Sequence, residues 1–382
     1  MLRSAEVFGA FLRLGLTSFG GPVAHIGYFR AEFVTRREWL TDADYAELVA
    51  LCQFLPGPAS SQVGFALGLM RAGWLGAVAA FVGFTLPSAI IMLAVALGAG
   101  LAGLTGVIAA LKLVAVAVVA QAVLGMARTL CPDGPRATIA VGAVLALGLL
   151  AGPWAMVAVI VAGALIGAVL RLDTGTGQGG LHIPVARPVA FAALALFALG
   201  LIGLPLLADH NAGIALADSM FRAGALVFGG GHVVLPLLQA ELVAPGLVSD
   251  GDFLAGYAAA QAIPGPLFTF ATYLGGLGGL TGACIATLAI FAPGFLLLVG
   301  VLPFWQALRG VQAVRAGMAG ANAAVVGILG AALYDPVFTS AVGSLWQFGF
   351  ALACFVALQV WRLPVWAVVL AAGLAGAAGL AM

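Results

Sequence analysis

Long apolar runs separated by short polar connectors fill the chain from end to end. They cover roughly 5–28, 44–70, 73–100, 102–128, 137–151, 153–171, 187–207, 220–238, 253–278, 280–303, 311–333, 340–361 and 364–381. Four runs are interrupted from within, by Phe19-Gly20-Gly21, by Pro56-Gly57-Pro58, by Phe228-Gly229-Gly230-Gly231 and by Pro264-Gly265-Pro266. A Pro-Gly-Pro triplet cannot continue a helix, because two of its residues lack an N–H and the glycine costs backbone entropy. In lipid a broken helix survives only where its freed backbone groups meet protein or a wet cavity. Each break therefore predicts a new helix start at membrane depth.

Two readings of these runs follow from length and charge. The first two breaks fall near the middle of their runs, so each arm is about ten residues, or about 15 Å, and reaches the centre of a ~30 Å core. If the interrupted runs are re-entrant hairpins, Arg3, Arg30, Arg36, Arg37 and Arg71 share one face. Counting onward, Arg128, Arg136, Arg171, Arg187, Arg309, Arg315 and Arg362 join them, which is the cytoplasmic side by the positive-inside rule. This reading has nine spans, with the N-terminus cytoplasmic and the C-terminus outside. The connectors Asp209 to Asp218 and Glu241 to Asp252 carry acids and no Lys or Arg, as an outer face requires. The alternative is thirteen full crossings, which scatters the positive loops over both faces.

The second half of the chain repeats the first. Arg13, Gly15, Phe19, Gly20 and Gly21 match Arg222, Gly224, Phe228, Gly229 and Gly230 at an offset of 222 − 13 = 209. One residue is then lost, and Asp42, Asp44, Gln53, Pro56, Gly57 and Pro58 match Asp250, Asp252, Gln261, Pro264, Gly265 and Pro266. Lys112 falls opposite Asn322. Special residues shared at a nearly constant offset mark an internal duplication. Both topologies place an odd number of spans between the copies, so the second copy is inverted. The expected fold is an all-α polytopic membrane protein of two inverted-topology repeats with discontinuous helices or re-entrant helical hairpins, the layout of secondary transporters. Its divisions are a first repeat over 1–172, a linker and connecting transmembrane helix over 173–212, and a second repeat over 213–382.

Composition narrows the class further. The chain has 382 residues, 63% hydrophobic and 8% charged, with mean hydropathy +1.17. Soluble domains carry about a quarter charged residues, so the lipid bilayer is the first partner. A net charge of +1 without a basic cluster gives no reason to expect nucleic acid. Cys52, Cys131, Cys284 and Cys354 are scattered through apolar runs and read as small core hydrophobes. The N-terminus lacks a signal-peptide layout, since Arg13 interrupts any apolar core region. Without a Ser/His/Asp set, phosphate loop or Cys/His cluster, an enzyme is not expected, nor is a cofactor or metal. The 54 glycines allow close helix packing and a homodimer.

Candidate chemistry gathers at the breaks. A helix start offers free N–H groups and about half a positive charge. Four such starts, after Gly20-Gly21, Pro56-Gly57-Pro58, Gly230-Gly231 and Pro264-Gly265-Pro266, would form an anion cradle. Ala59, Ser60 and Ser61 follow the first triplet and Thr269 the second, so the hydroxyls are candidate donors, as are the amides of Gln53 and Gln261. The competing role for these polar groups is to satisfy the freed backbone. Arg13 and Arg222 either hold an oxyanion or snorkel to the interface. Lys112 and Asn322 either meet substrate or join helices. His25 and His232 sit just beyond the Phe-Gly-Gly tips, although they are not repeat-equivalent. The acids Glu32, Glu241, Asp42, Asp250, Asp44 and Asp252 are expected to cap helices and order loops.

The run Phe11-Leu-Arg-Leu-Gly15 … Ser18-Phe-Gly-Gly-Pro22, with Leu51-Cys-Gln-Phe-Leu-Pro-Gly-Pro-Ala59-Ser60, resembles the chromate ion transporter family. So does the second copy, Val227-Phe-Gly-Gly-Gly-His232 … Gln261-Ala-Ile-Pro-Gly-Pro266, with Asn322-Ala-Ala-Val-Val-Gly327 beyond it. The likeness covers nearly the whole chain and has the long, two-repeat form. It implies export of chromate across the bacterial inner membrane by alternating access and resistance to chromate, with sulfate as the related oxyanion. The inside-negative potential favours expelling a dianion by about 2.3 kcal/mol per charge per 100 mV, which allows uniport. Uptake or exchange of sulfate or another anion is the rival within transport, and a non-transporting membrane scaffold the rival outside it. The second copy lacks the Ala-Ser-Ser after its triplet, so the two half-sites cannot bind a ligand identically.

Overall fold

The computed structural model describes residues 2–18, 21–98, 105–150, 155–172, 183, 185–227 and 234–379. Among them are eighteen α-helices and no strand. In chain order these are α1 (Leu2–Thr17), α2 (Gly21–Phe29), α3 (Asp42–Phe54), α4 (Ala59–Gly98), α5 (Thr105–Leu130), α6 (Gly134–Leu149), α7 (Ala155–Val169), α8 (Arg187–Leu207) and α9 (Ala212–Leu226). Then follow α10 (Val234–Leu242), α11 (Asp250–Ala262), α12 (Phe270–Gly276), α13 (Leu280–Val301), α14 (Trp305–Gly310), α15 (Gln312–Ala332), α16 (Thr339–Ala341), α17 (Leu345–Gln359) and α18 (Val365–Ala377). Five segments among the described residues are long and apolar enough to cross a bilayer: Ala59–Gly98, Ala109–Leu130, Arg187–His210, Leu280–Phe304 and Gln312–Asp335. The first of these bends at Ala72 and Gly73, where the backbone leaves helical geometry.

The chain condenses into two compact units, each discontinuous in sequence. One comprises Met1–Leu97, Thr176–Gly231 and Ile263–Ala307; the other comprises Gly98–Gly175, His232–Ala262 and Leu308–Met382. Each unit takes segments from both halves of the chain, so compaction does not follow the repeat boundaries. Most of the connector from Asp173 to Arg187 lies outside the described residues.

In the first unit α1 and α2 lie antiparallel. Phe11 packs against Phe29 and Phe33, with ring centroids 5.4 and 4.8 Å apart. Beyond α2 a π-helical turn, Arg30–Arg36, brings Arg37 to Glu6 at 3.2 Å. Arg71, at the end of the first segment of α4, reaches the same carboxylate at 3.1 Å. The loops after α2 and after that segment therefore meet at one carboxylate. The first arms are longer than the ten residues expected, 16 in α1 and 13 in α3.

The second segment of α4 makes close contacts near both of its ends. Its start packs on the end of the first segment, where Gly68 and Gly76 leave each other no room for a side chain. At its far end Ala96 and Leu93 lie against Gly276, the last residue of α12. Repeat-equivalent crossings recur as well. A Cβ on Gly15 of α1 would come within 2.7 Å of the Phe84 carbonyl, and one on Gly224 of α9 would collide with the Ile290 carbonyl. Without a hydrophobic drive between helices in lipid, such small-residue approaches carry the packing.

In the second unit α15 packs against α5, α6 and α7, and α5 in turn against α11, α17 and α18. Gly163 and Gly167 of α7 meet Gly320 of α15 with no space for side chains. Hydroxyls, not the acids expected to cap, take the cap position in both copies, and the acids bond to those hydroxyls. The Thr41 hydroxyl accepts from the Asp44 amide and donates to the Asp44 carboxylate at 2.7 Å. Ser249 and Asp252 repeat both bonds at the start of α11.

Candidate functional site

The breaks of the first unit are joined to each other. Gly57, at φ +121°, donates its amide to the Val227 carbonyl at 2.6 Å. Gly265, at φ +100°, donates to the Ser18 carbonyl at 3.0 Å. Both glycines hold a backbone conformation that disfavours side chains. At both, a Cβ would also have no room, being 2.8 Å from Gly294 Cα at Gly57 and 2.7 Å from Ser88 Oγ at Gly265. Each Pro-Gly-Pro break is thus satisfied at the carbonyl where the other repeat's first helix ends.

Around this junction lie buried polar groups. Pro58, Ala59, Ser60 and Ser61 are buried at the start of α4, with Pro56 partly exposed. Ser60 Oγ lies 3.3 Å from His25 Nδ1. Ser18 Oγ, Ser61 Oγ, Thr85 Oγ1, Gln62 Oε1 and His25 Nε2 are buried without hydrogen-bond partners among the described residues. Gln62 donates from Nε2 to the Pro56 carbonyl at 3.0 Å and to the Gly294 carbonyl at 2.9 Å, tying the first break to α13. Gln62 carries little signal in the sequence, because it lies inside a helix and has no counterpart in the second copy. Its one legible signal is an amide four residues after the break, where freed carbonyls need donors.

The remaining candidates are dispersed. α2 begins at Gly21, as expected for the first tip, while Phe19, Gly20, Phe228, Gly229, Gly230, Gly231 and His232 lie outside the described residues. After Pro264-Gly265-Pro266 the chain forms a 3-10 turn over Leu267–Thr269 before α12 begins, so this fourth start differs from that of α4. The buried Thr269 hydroxyl donates to the Pro266 carbonyl at 2.9 Å, which meets a freed backbone group. Gln53 is exposed, whereas Gln261 is buried on α11 and bonded to Tyr257. Arg13 is exposed, whereas Arg222 pairs with Asp218 at 2.9 Å. Lys112, Gln261 and Asn322 belong to the second unit, where Lys112 Nζ lies beside Gly251 at the start of α11.

A family model described as chromate transporter matches residues 5–168 and 214–377. The two matches start and end 209 residues apart (214 − 5 and 377 − 168), the offset read from the motifs. The chromate transport protein of Pseudomonas aeruginosa is 32% identical over 395 residues, 97% of this chain and 91% of the relative. A probable chromate transport protein of Synechococcus elongatus is 29% identical over 365 residues, 89% of each chain. A shorter relative, the uncharacterized transporter YwrB of Bacillus subtilis, is 37% identical over 150 residues, 38% of this chain and 76% of the relative. No solved structure matches the chain. With five bilayer-length apolar segments among the described residues it is a multi-pass membrane protein, and the chain belongs to the chromate transporter family.

Proposed function

We propose that this protein exports chromate across the bacterial inner membrane by alternating access between two inverted repeats, and so confers chromate resistance. The supporting observation is the joined pair of breaks, with buried hydroxyls of Ser18, Ser61 and Thr85 left without partners beside it. An unpaired buried polar group costs about 1–3 kcal/mol, so a ligand that accepts hydrogen bonds is the natural complement of these donors. A tetrahedral dianion offers only acceptors. The start of α4 adds free amides and a partial positive charge to Ser60 and Ser61.

In this reading the anion sits at the level of the breaks, and rocking of the repeats exposes it to each side in turn. Arg222 is charge-paired with Asp218 and Arg13 is exposed, so both act on the approach of the anion rather than in its cradle. The N-terminus and the Arg37–Glu6–Arg71 end are cytoplasmic, and the C-terminus is outside. The membrane potential supplies the drive, about 2.3 kcal/mol per charge per 100 mV.

The test is tracer flux in right-side-out and inverted vesicles carrying the full chain, under imposed potentials, with sulfate as competitor. Chromate efflux that grows with inside-negative potential and falls at least tenfold in the Ser60→Ala, Ser61→Ala double variant is expected. Inward movement of sulfate with no movement of chromate would sink the reading.

A further inference from the structure

His25 is fully buried on α2. Nδ1 lies 3.3 Å from Ser60 Oγ, and the Ser18 backbone lies within hydrogen-bonding reach of the ring. The Ser18 carbonyl accepts the Gly265 amide. Phe84 stands edge-on to the ring at 5.2 Å. Nε2 has no partner among the described residues. A single imidazole thus touches the end of α1 and the start of α4, and through Ser18 it is tied to the break of the other repeat. A neutral imidazole that donates from one nitrogen leaves the other as a bare acceptor.

Among the described residues no ion pair reaches His25, and Glu47, the buried carboxylate of α3, is itself engaged in an interaction. On α1 Arg13 is exposed, and on α3 the Tyr45 hydroxyl donates to the Ile26 carbonyl at 2.6 Å while Cys52 is a buried free thiol. Arg30 pairs with Asp42, and Glu6, Glu32, Arg36, Arg37 and Arg71 pair among themselves. The second segment of α4 carries no ionisable side chain over residues 74–98.

We propose that His25 carries a proton with the transported anion: a dianion at the breaks draws H⁺ onto Nε2, and both leave together on the other side. This rests on the export reading above. Opposite charge favours the protonated ring, and the new Nε2–H donates to an anion oxygen. The N–H bond forms with a proton from the compartment that supplies the anion and breaks as both are released. Each cycle therefore moves one net negative charge instead of two.

The experiment is the balancing potential for chromate in proteoliposomes of the full chain, in alkaline buffer equal on both sides, where free chromate is the dianion. A tenfold chromate gradient is balanced by about 59 mV if one charge moves and by about 30 mV if two move. The wild type is expected at the larger value, and His25→Asn and His25→Gln at the smaller. A pH gradient at zero potential should move chromate in the wild type alone. A wild-type value near 30 mV, or variants that keep the wild-type value, overturns the proposal while leaving export intact. No chromate flux at any potential removes export and this proposal together. If neither variant folds, nitrogen NMR of ¹⁵N-histidine-labelled wild type decides: an imidazole that stays unprotonated when chromate is added overturns it.

Discussion

The Gly57 amide donates to the Val227 carbonyl across the two repeats at 2.6 Å, and the equivalent Gly265 amide returns the bond to Ser18 at 3.0 Å. Each break so repairs the other. A Pro-Gly-Pro triplet frees backbone groups that lipid cannot satisfy, and here the partner is the carbonyl just past the first helix of the opposite copy. The bonds are local, yet they couple segments far apart in the chain, so anything that moves one break bears on the other.

Substitution of either glycine by alanine is expected to strain this junction. The positive φ costs about 1–3 kcal/mol for a residue with a side chain, and the added Cβ meets Gly294 Cα or Ser88 Oγ. Thermal melting of purified Gly57→Ala and Gly265→Ala should fall by several degrees relative to wild type. Gly9→Ala, where a Cβ meets nothing within 4 Å, should not fall. Equal melting of all three would contradict the role given to the junction.

Gln62 makes a sharper case, since it holds the Pro56 and Gly294 carbonyls through one amide nitrogen. Gln62→Leu leaves two carbonyls without this donor, at about 1–3 kcal/mol each. Gln53→Leu, at an exposed position, should change stability by less than about 0.5 kcal/mol. Denaturation in detergent compares the two, and a Gln62→Leu protein as stable as Gln53→Leu would reject the bridge.

The shared carboxylate of Glu6 predicts topology. Thr35 and Trp74 flank Arg37 and Arg71 in sequence and are exposed. Cysteines placed there, on a background without the native four, should react with an impermeant maleimide from the same side of the membrane. A cysteine at Leu247, in the acidic connector, should react from the other side. Labelling of Thr35→Cys and Trp74→Cys from opposite sides would favour the thirteen-crossing topology.

Glu32 predicts a pH dependence. Burial pushes its carboxyl up, but hydrogen bonds and charge from Arg37 and Arg36 outweigh this and hold it below its ordinary value of 4.5. A depressed carboxylate contributes stability that is present above the unfolded value and lost as pH falls through the folded one. Glu32→Gln should therefore cost about 1.5–3 kcal/mol at neutral pH, and the gap to wild type should close well below pH 4.5. Melting curves across that range check it, and a gap that persists in acid would assign the loss to packing instead.

The sequence by itself determined the class, the duplication and the positions of the breaks. Apolar runs of bilayer length admit only helices in lipid, and Gly and Pro stop helices wherever they stand. Asp44 and Asp252 were expected to cap, but the capping hydroxyls of Thr41 and Ser249 emerged only in the structure. Only the tertiary structure decided which break pairs with which, that Gln62 bridges the first break and α13, and that Gln53 faces outward while Gln261 is buried. It also sorted Lys112 and Asn322 into a different compact unit from the breaks. A freed carbonyl must find a donor, but spacing along the chain does not say whose. That choice falls to helices brought within reach by small residues, such as Gly15 on Phe84 and Gly224 on Ile290, and so it is made in three dimensions.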